Sequence, residues 1–371
     1  MKKLGFGLMR LPLTDPGDYS SVDVEAVQRM ADAFLAKGFT YFDTAAPYHQ
    51  GRSETAFREA VAKRYPRSAY TITDKLSLFM LDGEAAFQPF FDAQLERLGV
   101  ETLDYYLLHG LGGPTCRQAE EQHAFAFVQR LKEEGRVQHI GLSFHDQAEL
   151  LDEILTRHPE MECIQLQLNY LDWEDATVQA RACYEVAVKH RKPVIVMEPV
   201  KGGSLANVPE AAEALFRSHA PERSPASWAV RFAASQPQVG MVLSGMSDMA
   251  QLEDNTGYME DFRPLDEAER AIVDRAAAVI RESIAIPCTA CRYCVDDCPM
   301  HIAIPDVFAI YNNLKRFGPR QEMVARTYYG NLIQGHGRAS ACLGCGKCES
   351  RCPQHLPIRQ HLADAAAALE A

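Results

Sequence analysis

A chain of 371 residues allows one large domain and one small one. A hydrophobic share of 47% against 24% charged residues is that of an ordinary globular protein, and a net charge of −12 argues against a nucleic-acid partner. No uninterrupted apolar run approaches the roughly 20 residues that span a bilayer, so no membrane role is expected.

The start, Met1-Lys2-Lys3, runs directly into a strand-like segment and does not read as a signal peptide. The expectation is a cytoplasmic protein, in which eleven cysteines point to metal or redox use ahead of disulfides. Residues 4–257 alternate short apolar runs with amphipathic stretches. Strand candidates are 4–9, 40–45, 70–75, 104–109, 138–143, 163–168, 193–198 and 239–244. Helical patterns lie between them, for example Val24 to Lys37, Ala85 to Leu98 and Ala176 to His190. Ser21-Val22-Asp23 reads as a cap before the first, and Gly38 as its stop. This alternation predicts an α/β fold, a TIM (β/α)8 barrel. A doubly wound sheet is the alternative, but no G-x-G-x-x-G follows the first strand.

Asp43, Tyr48, Lys75 and His109 each fall at or just after the end of a predicted strand. In a parallel barrel such positions converge on one mouth. A carboxylate, a phenol, an ammonium and an imidazole meeting there make a proton-donating site. Lys75 beside Asp43 is expected to lower the pKa of Tyr48 and make the phenol a usable acid near neutral pH. His109 would orient or polarise a carbonyl oxygen.

Asp43-Thr44-Ala45-Ala46-Pro47-Tyr48, followed by Gly51 and Glu54, resembles the signature of the aldo-keto reductases. The resemblance runs from about Leu4 to Asn255. It implies that Asp43, Tyr48, Lys75 and His109 form a catalytic tetrad with Tyr48 as the acid. Many members of that family begin with a hairpin that plugs the barrel bottom. Here the first strand starts almost at once, so that plug is expected to be absent or supplied otherwise.

The same resemblance implies that Ser143 and Gln167 hold the nicotinamide carboxamide, with Gln165 a competing choice two residues away. Met197 lies where a residue packs on the nicotinamide ring, although an ordinary barrel-core methionine is an equal reading. Ser244, Gly245 and Met246, with Gln251 and Asn255, correspond to the segment that holds the adenosine phosphate end, near a helix N-terminus. An Arg that often grips the 2′-phosphate is replaced by Gln251, and no Lys or Arg occurs between Arg231 and Arg263. NAD therefore stands beside NADP as the expected cofactor.

Residues 1–264 are assigned to the barrel and 265–286 to a connecting helix lying across it, patterned from Glu267 to Ile284. Residues 287–371 form a small, mostly helical ferredoxin-like iron-sulfur domain, with helical patterns at 305–317 and 321–332. In it Cys288, Cys291, Cys294 and Cys298 precede Pro299, and Cys342, Cys345, Cys348 and Cys352 precede Pro353. Both runs fit C-x2-C-x2-C-x3-C-P, the spacing for two 4Fe-4S clusters in which the fourth Cys of each run ligates the other cluster. Zinc held by paired C-x2-C units is the alternative. Resemblance extends to alpha-helical ferredoxin domains. Cys163 and Cys183 read as buried small residues. Cys116 reads as a loop thiol near the mouth.

The expectation is an oxidoreductase that acts on a small-molecule carbonyl or, in reverse, an alcohol. Specificity is expected from loops 110–123 and 200–210. From Ile284 onward 9 Lys+Arg stand against 7 Asp+Glu, a net of +2, which leaves −14 on the rest. An acidic ferredoxin or flavodoxin partner would suit that tail. An electron-transfer adaptor that uses the barrel for docking, and a reductase whose clusters only brace the fold, stay open as alternatives.

Overall fold

Eight short apolar runs form eight parallel strands that close on themselves in sequence order. They are β1 (Leu4–Gly7), β2 (Tyr41–Asp43), β3 (Thr71–Leu76), β4 (Leu103–Leu111), β5 (Val137–Phe144), β6 (Cys163–Gln167), β7 (Val194–Met197) and β8 (Val239–Gly245). The computed structural model describes residues 2–371 apart from 177, 283–284, 289–291, 293, 296 and 353. Closure comes from β8 pairing with β1, Leu4 beside Val242 and Gly7 beside Gly245. The fold is the expected TIM barrel. β1 is shorter than the apolar run suggests, because Leu8–Arg10 winds into a 3-10 turn.

Side chains alternate along a strand, so every second residue faces the barrel interior. Tyr41, Leu107, Cys163, Ile195, Met241 and Leu243 make one apolar layer there. Two residues on from Tyr41 and Cys163, one step nearer the carboxyl ends, come Asp43 and Gln165. The interior thus passes from an apolar floor to a polar mouth. β5 and β6 approach closely: a Cβ on Gly141 would sit 2.3 Å from the carbonyl oxygen of Cys163, so no side chain fits at that position.

The helix Val24–Ala36 shows why sequence pattern becomes structure here. Asp23 Oδ1 accepts the Ala26 N–H at 3.0 Å, a cap of the kind that contributes about 1 kcal/mol. Gly38, at φ 76°, ends it. Its buried face carries Val27, Met30, Ala31 and Phe34, and the Phe34 ring lies 5.7 Å from that of Phe6 on β1. Each such ring, once fully buried, contributes about 1.5–3 kcal/mol.

Two compact units result. The first comprises 1–173, 178–199 and 226–267, and the second 174–177, 200–225 and 268–371. The grouping differs from a linear boundary at 264, because the segment between β7 and β8 folds with the C-terminal part. Gln321 Nε2 donates to the Gly202 carbonyl at 3.2 Å, and Arg223 pairs with Glu269 at 2.6 Å. The second unit includes the helices Glu267–Glu282, Ile304–Phe317, Glu322–Leu332 and Ile358–Leu369, the first of them from its second residue on. Ile302, Phe308, Tyr311, Tyr329 and Leu362 are in its core. Among the described residues no helix is long and apolar enough to cross a membrane.

Candidate functional site

Asp43 is the last residue of β2, and Lys75 points inward from β3. Lys75 Nζ donates to Asp43 Oδ1 at 2.6 Å and to the Thr44 carbonyl at 2.7 Å. Lys75 is fully buried and Asp43 nearly so. Burial works most strongly against the lysine charge, but Asp43 and its neighbours together outweigh it and hold the ammonium above its ordinary pKa. Removing either partner would leave an unpaired buried charge, a cost of about 3–5 kcal/mol. Gln165 Nε2 donates to the other carboxylate oxygen, Asp43 Oδ2, at 3.0 Å. Gln165 therefore supports Asp43 from within the barrel.

Tyr48 begins the turn that follows β2. That turn is held open by two residues in the left-handed region, His49 at φ 51° and Gln50 at φ 53°, and by Gly51 at φ 86°. His49 supports it. Its Nε2 accepts the Leu11 N–H at 3.0 Å, so its Nδ1 carries the hydrogen donated to the Tyr19 carbonyl at 2.9 Å. Tyr19 also stacks on its ring, centroids 4.3 Å apart. The result sets Lys75 Nζ 5.1 Å from the centroid of the Tyr48 ring. His109, on β4, meets the same ring edge-on at 5.9 Å. The structure thus brings Asp43, Tyr48, Lys75 and His109 together at one mouth.

The expected direction of the Tyr48 pKa is corrected. Burial pushes the phenol up, and Asp43 adds to that; Lys75 pulls it down but does not win. Tyr48 is therefore held protonated at neutral pH, which suits a proton donor. His109 is driven well below the usual imidazole range by burial, then by Lys75 and His145, so it is neutral. Its Nδ1 lies 2.7 Å from Ser77 Oγ, a buried partner that the sequence pattern did not single out. Phe79, half exposed at 52%, lies over His109 at 5.5 Å.

At the end of β5, Ser143 Oγ accepts the Gly110 N–H at 2.7 Å, which leaves its own hydrogen to give. Gln167 ends β6 and donates Nε2 to Asp172 Oδ2 at 2.9 Å. Asn169 donates to the same oxygen at 2.7 Å. Met197 ends β7, half-buried.

Around β8 the residues divide. Ser244 and Asn255 are buried and bonded to each other at 2.7 Å, and Met246 is fully buried. Gly245 and Gln251 are exposed. Asp248 caps the helix Met249–Glu260 by accepting the Gln251 N–H at 2.8 Å, and also takes Gln251 Nε2 at 2.9 Å. Arg10 was missed by the linear reading. Its stem lies against Gly245, where a Cβ would sit 3.2 Å from Arg10 Cδ, and its carbonyl accepts from Ser247 Oγ at 2.9 Å. The signal was barrel closure: the turn after β1 must flank the turn after β8.

Cys116 is also corrected. It lies not in a loop but within the helix Gly113–Glu121, and is buried. Cys163 and Cys183 are buried as expected.

The second unit contains two small, partly open cavities. Cys288, Cys294 and Cys352 line one, with Ile304, Phe308 and Ile358. Cys298, Cys342, Cys345 and Cys348 line the other. The fourth thiol of each run thus faces the cavity of the other run. Cys291 and Pro353 lie outside the described residues. Among the described residues no three His, Cys, Asp or Glu side chains close on a single ion-sized point.

The molecule is therefore a (β/α)8-barrel protein with an acid–base site at the barrel mouth and a separate helical unit rich in thiols. A family model described as the aldo/keto reductase family matches residues 3–278, and one described as a 4Fe-4S dicluster domain matches 287–356. The chain belongs to the aldo/keto reductase family and ends in a 4Fe-4S dicluster domain. It is 33% identical over 132 residues to an aldo-keto reductase of Mycolicibacterium smegmatis, which is 36% of this chain and 44% of that one. It is 35% identical over 147 residues to one of Mycolicibacterium vanbaalenii, 39% of this chain and 49% of that one. The chain thus spans under half the length of these curated relatives. Among solved structures, a holo aldo-keto reductase from Bacillus halodurans superposes with a TM-score of 0.60 at 24% identity, covering 74% of this chain and 91% of that one. One from Klebsiella pneumoniae in complex with NADPH gives 0.58 at 19% identity, covering 74% and 90%. At these identities the likeness is one of fold.

Proposed function

We propose that the barrel interconverts an aldehyde or ketone with its alcohol, using NAD or NADP, and that the second unit holds two 4Fe-4S clusters for electron transfer to or from a redox partner. The observation that carries the first part is the buried Lys75–Asp43 pair set beneath a protonated Tyr48. A bound nicotinamide would supply a hydride, and bound clusters single electrons.

The residues present fit both groups. Tyr48 gives its proton to the carbonyl oxygen, and Lys75, whose charge is secured by Asp43, stabilises the phenolate left behind. His109 is neutral; with Ser77 donating to Nδ1, its Nε2 carries the hydrogen and donates to the same oxygen. Ser143 has a hydroxyl hydrogen for the carboxamide oxygen. Gln167 has its Nε2 committed to Asp172, which leaves Oε1 to accept from the carboxamide nitrogen. Asp172→Ala is therefore expected to weaken NADH binding about tenfold, roughly one charge-assisted hydrogen bond, without changing the Tyr48 pH dependence. Equal binding titrations for wild type and variant would remove Asp172 from this role.

Cofactor choice follows from charge. Gln251 carries none, and Asp248 beside it is expected to oppose a 2′-phosphate while accepting from a ribose hydroxyl. NADH is expected to bind at least as well as NADPH. Gln251→Arg is expected to shift the preference toward NADPH. A wild-type Kd for NADPH far below that for NADH would contradict this and point to Arg10 as the phosphate's cation.

The doubled C-x2-C-x2-C-x3-C-P spacing and the match to a 4Fe-4S dicluster domain support iron–sulfur clusters over zinc. The proposed ligand sets are Cys288, Cys291, Cys294 and Cys352, and Cys342, Cys345, Cys348 and Cys298. The tail's positive balance favours an acidic partner of ferredoxin or flavodoxin type, and the proposed location is the cytoplasm. Anaerobic purification with iron and sulfide analysis, followed by steady-state reduction of a small aldehyde with NADH and NADPH, tests the whole reading. Full cluster content without turnover of any small carbonyl would leave the adaptor reading in its place.

A further inference from the structure

Behind the catalytic lysine lies a second buried polar set that the mechanism above does not use. Along β3 the side chains alternate, so Lys75 faces the barrel interior and Asp74 faces the surrounding helices. Asp74 is fully buried. Its Oδ1 accepts the Lys75 backbone N–H at 2.8 Å. The Lys75 carbonyl accepts Gln94 Nε2 at 3.0 Å, and Gln94 Oε1 accepts the Tyr106 hydroxyl at 2.7 Å. Both backbone polar groups of Lys75 are thus committed, the N–H to Asp74 and the carbonyl to Gln94.

Glu54, from the helix Arg52–Phe57, is also fully buried. Both its oxygens accept from Arg97, on the helix Phe87–Leu98: Oε2 from Nε, and Oε1 from a terminal nitrogen at 3.2 Å. Asp74 Oδ2 is buried with no donor reaching it. After burial, Glu54 is the charged group that most raises the Asp74 carboxyl. Two fully buried carboxyls that act on each other, one with an oxygen that no donor reaches, are sound only if one carries a proton. Glu54, Arg97, Tyr106 and Lys75 are the titratable groups that act on Asp74, and Lys75 is already paired with Asp43, so Arg97 would otherwise be left to answer for two buried anions.

We propose that Asp74 is a neutral carboxylic acid that donates its proton to Glu54, so that this set carries one negative charge opposite Arg97. Asp74 is then a positioning residue for Lys75. It holds the lysine's backbone N–H while adding no anion beside it, and the ammonium's field is left to Asp43 and Tyr48. Burial, then Glu54, raise the Asp74 carboxyl well above the usual carboxylate range, in keeping with that state. A carboxyl raised on folding contributes stability that is present at low pH and lost as pH rises through its folded value.

The field argument rests on the catalytic reading of Lys75 and Tyr48; the protonation state does not, and it is tested without turnover. The infrared spectrum of the folded full chain should contain the stretch of a buried protonated carboxyl that disappears in Asp74→Asn. The band should also disappear in Glu54→Gln, where the remaining Asp74 ionises opposite Arg97. Each single variant keeps one carboxylate against Arg97 and should stay folded at pH 7, with Asp74→Asn melting no lower than wild type. The double variant strands Arg97 and should melt far lower. Raising pH should lower the wild-type melting temperature, and Asp74→Asn should lack that loss. With turnover established, the alkaline fall of kcat should follow the infrared titration in wild type and move upward in Asp74→Asn. Absence of a protonated-carboxyl band that either variant removes would overturn the proposal. So would a wild-type melting temperature that does not fall relative to that of Asp74→Asn as pH is raised from about 4 toward 8.

Discussion

Tyr48→Phe is expected to lower kcat for carbonyl reduction by about 10²–10⁴-fold, the range that a positioned acid contributes. The variant keeps the ring and loses only the hydroxyl. Its packing against His109 and Lys75 should persist. The dinucleotide Kd should hardly change, because the contacts proposed for the nicotinamide come from Ser143 and Gln167. Loss confined to kcat is the signature of a group that acts only in the transition state. The pH dependence has a stated sign. Because burial holds the phenol above its ordinary pKa, wild-type reduction should not lose its acid anywhere near neutral pH. Near-normal turnover by the variant would mean that another group donates the proton.

Cys352→Ala is expected to remove or convert the cluster of the first cysteine run, although Cys352 belongs to the second. The cavity shared by Cys288, Cys294 and Cys352 is the reason. Iron per chain should fall by about half if that cluster is lost. Hydrogen exchange across 300–341 should quicken together with it, because crossed ligands close that stretch and metal binding is folding energy. Iron analysis, electron paramagnetic resonance and exchange mass spectrometry read these outcomes. Spectra in which only the second-run cluster changes would sink the crossed scheme.

The meeting of Asp43, Tyr48, Lys75 and His109 was legible because each member follows an apolar run, and barrel strands deliver their ends to one mouth whatever the helices do. The cysteine runs were legible because their spacing is chemistry and needs no fold. Other features had no linear signal. Gln165 and Gln167 share a face by the two-residue period, so only depth along the barrel separates the one that supports Asp43 from the one that meets Asp172. The Tyr48 pKa depends on three opposed influences of similar kind, and a sequence names the partners without ranking them. Arg10 becomes visible only once β8 is known to pair with β1.

The segment 200–225 leaves the barrel chain after β7, folds with the C-terminal unit and returns before β8. The two units therefore cannot be parted by one cut. A chain stopped at 286 keeps Gly202 but loses Gln321, its hydrogen-bond donor. During synthesis the segment emerges long before Gln321, to which its Gly202 carbonyl bonds. A gene fusion of two finished modules would have left the barrel self-sufficient. In this chain a stretch that lies between two barrel strands in sequence belongs to the other compact unit.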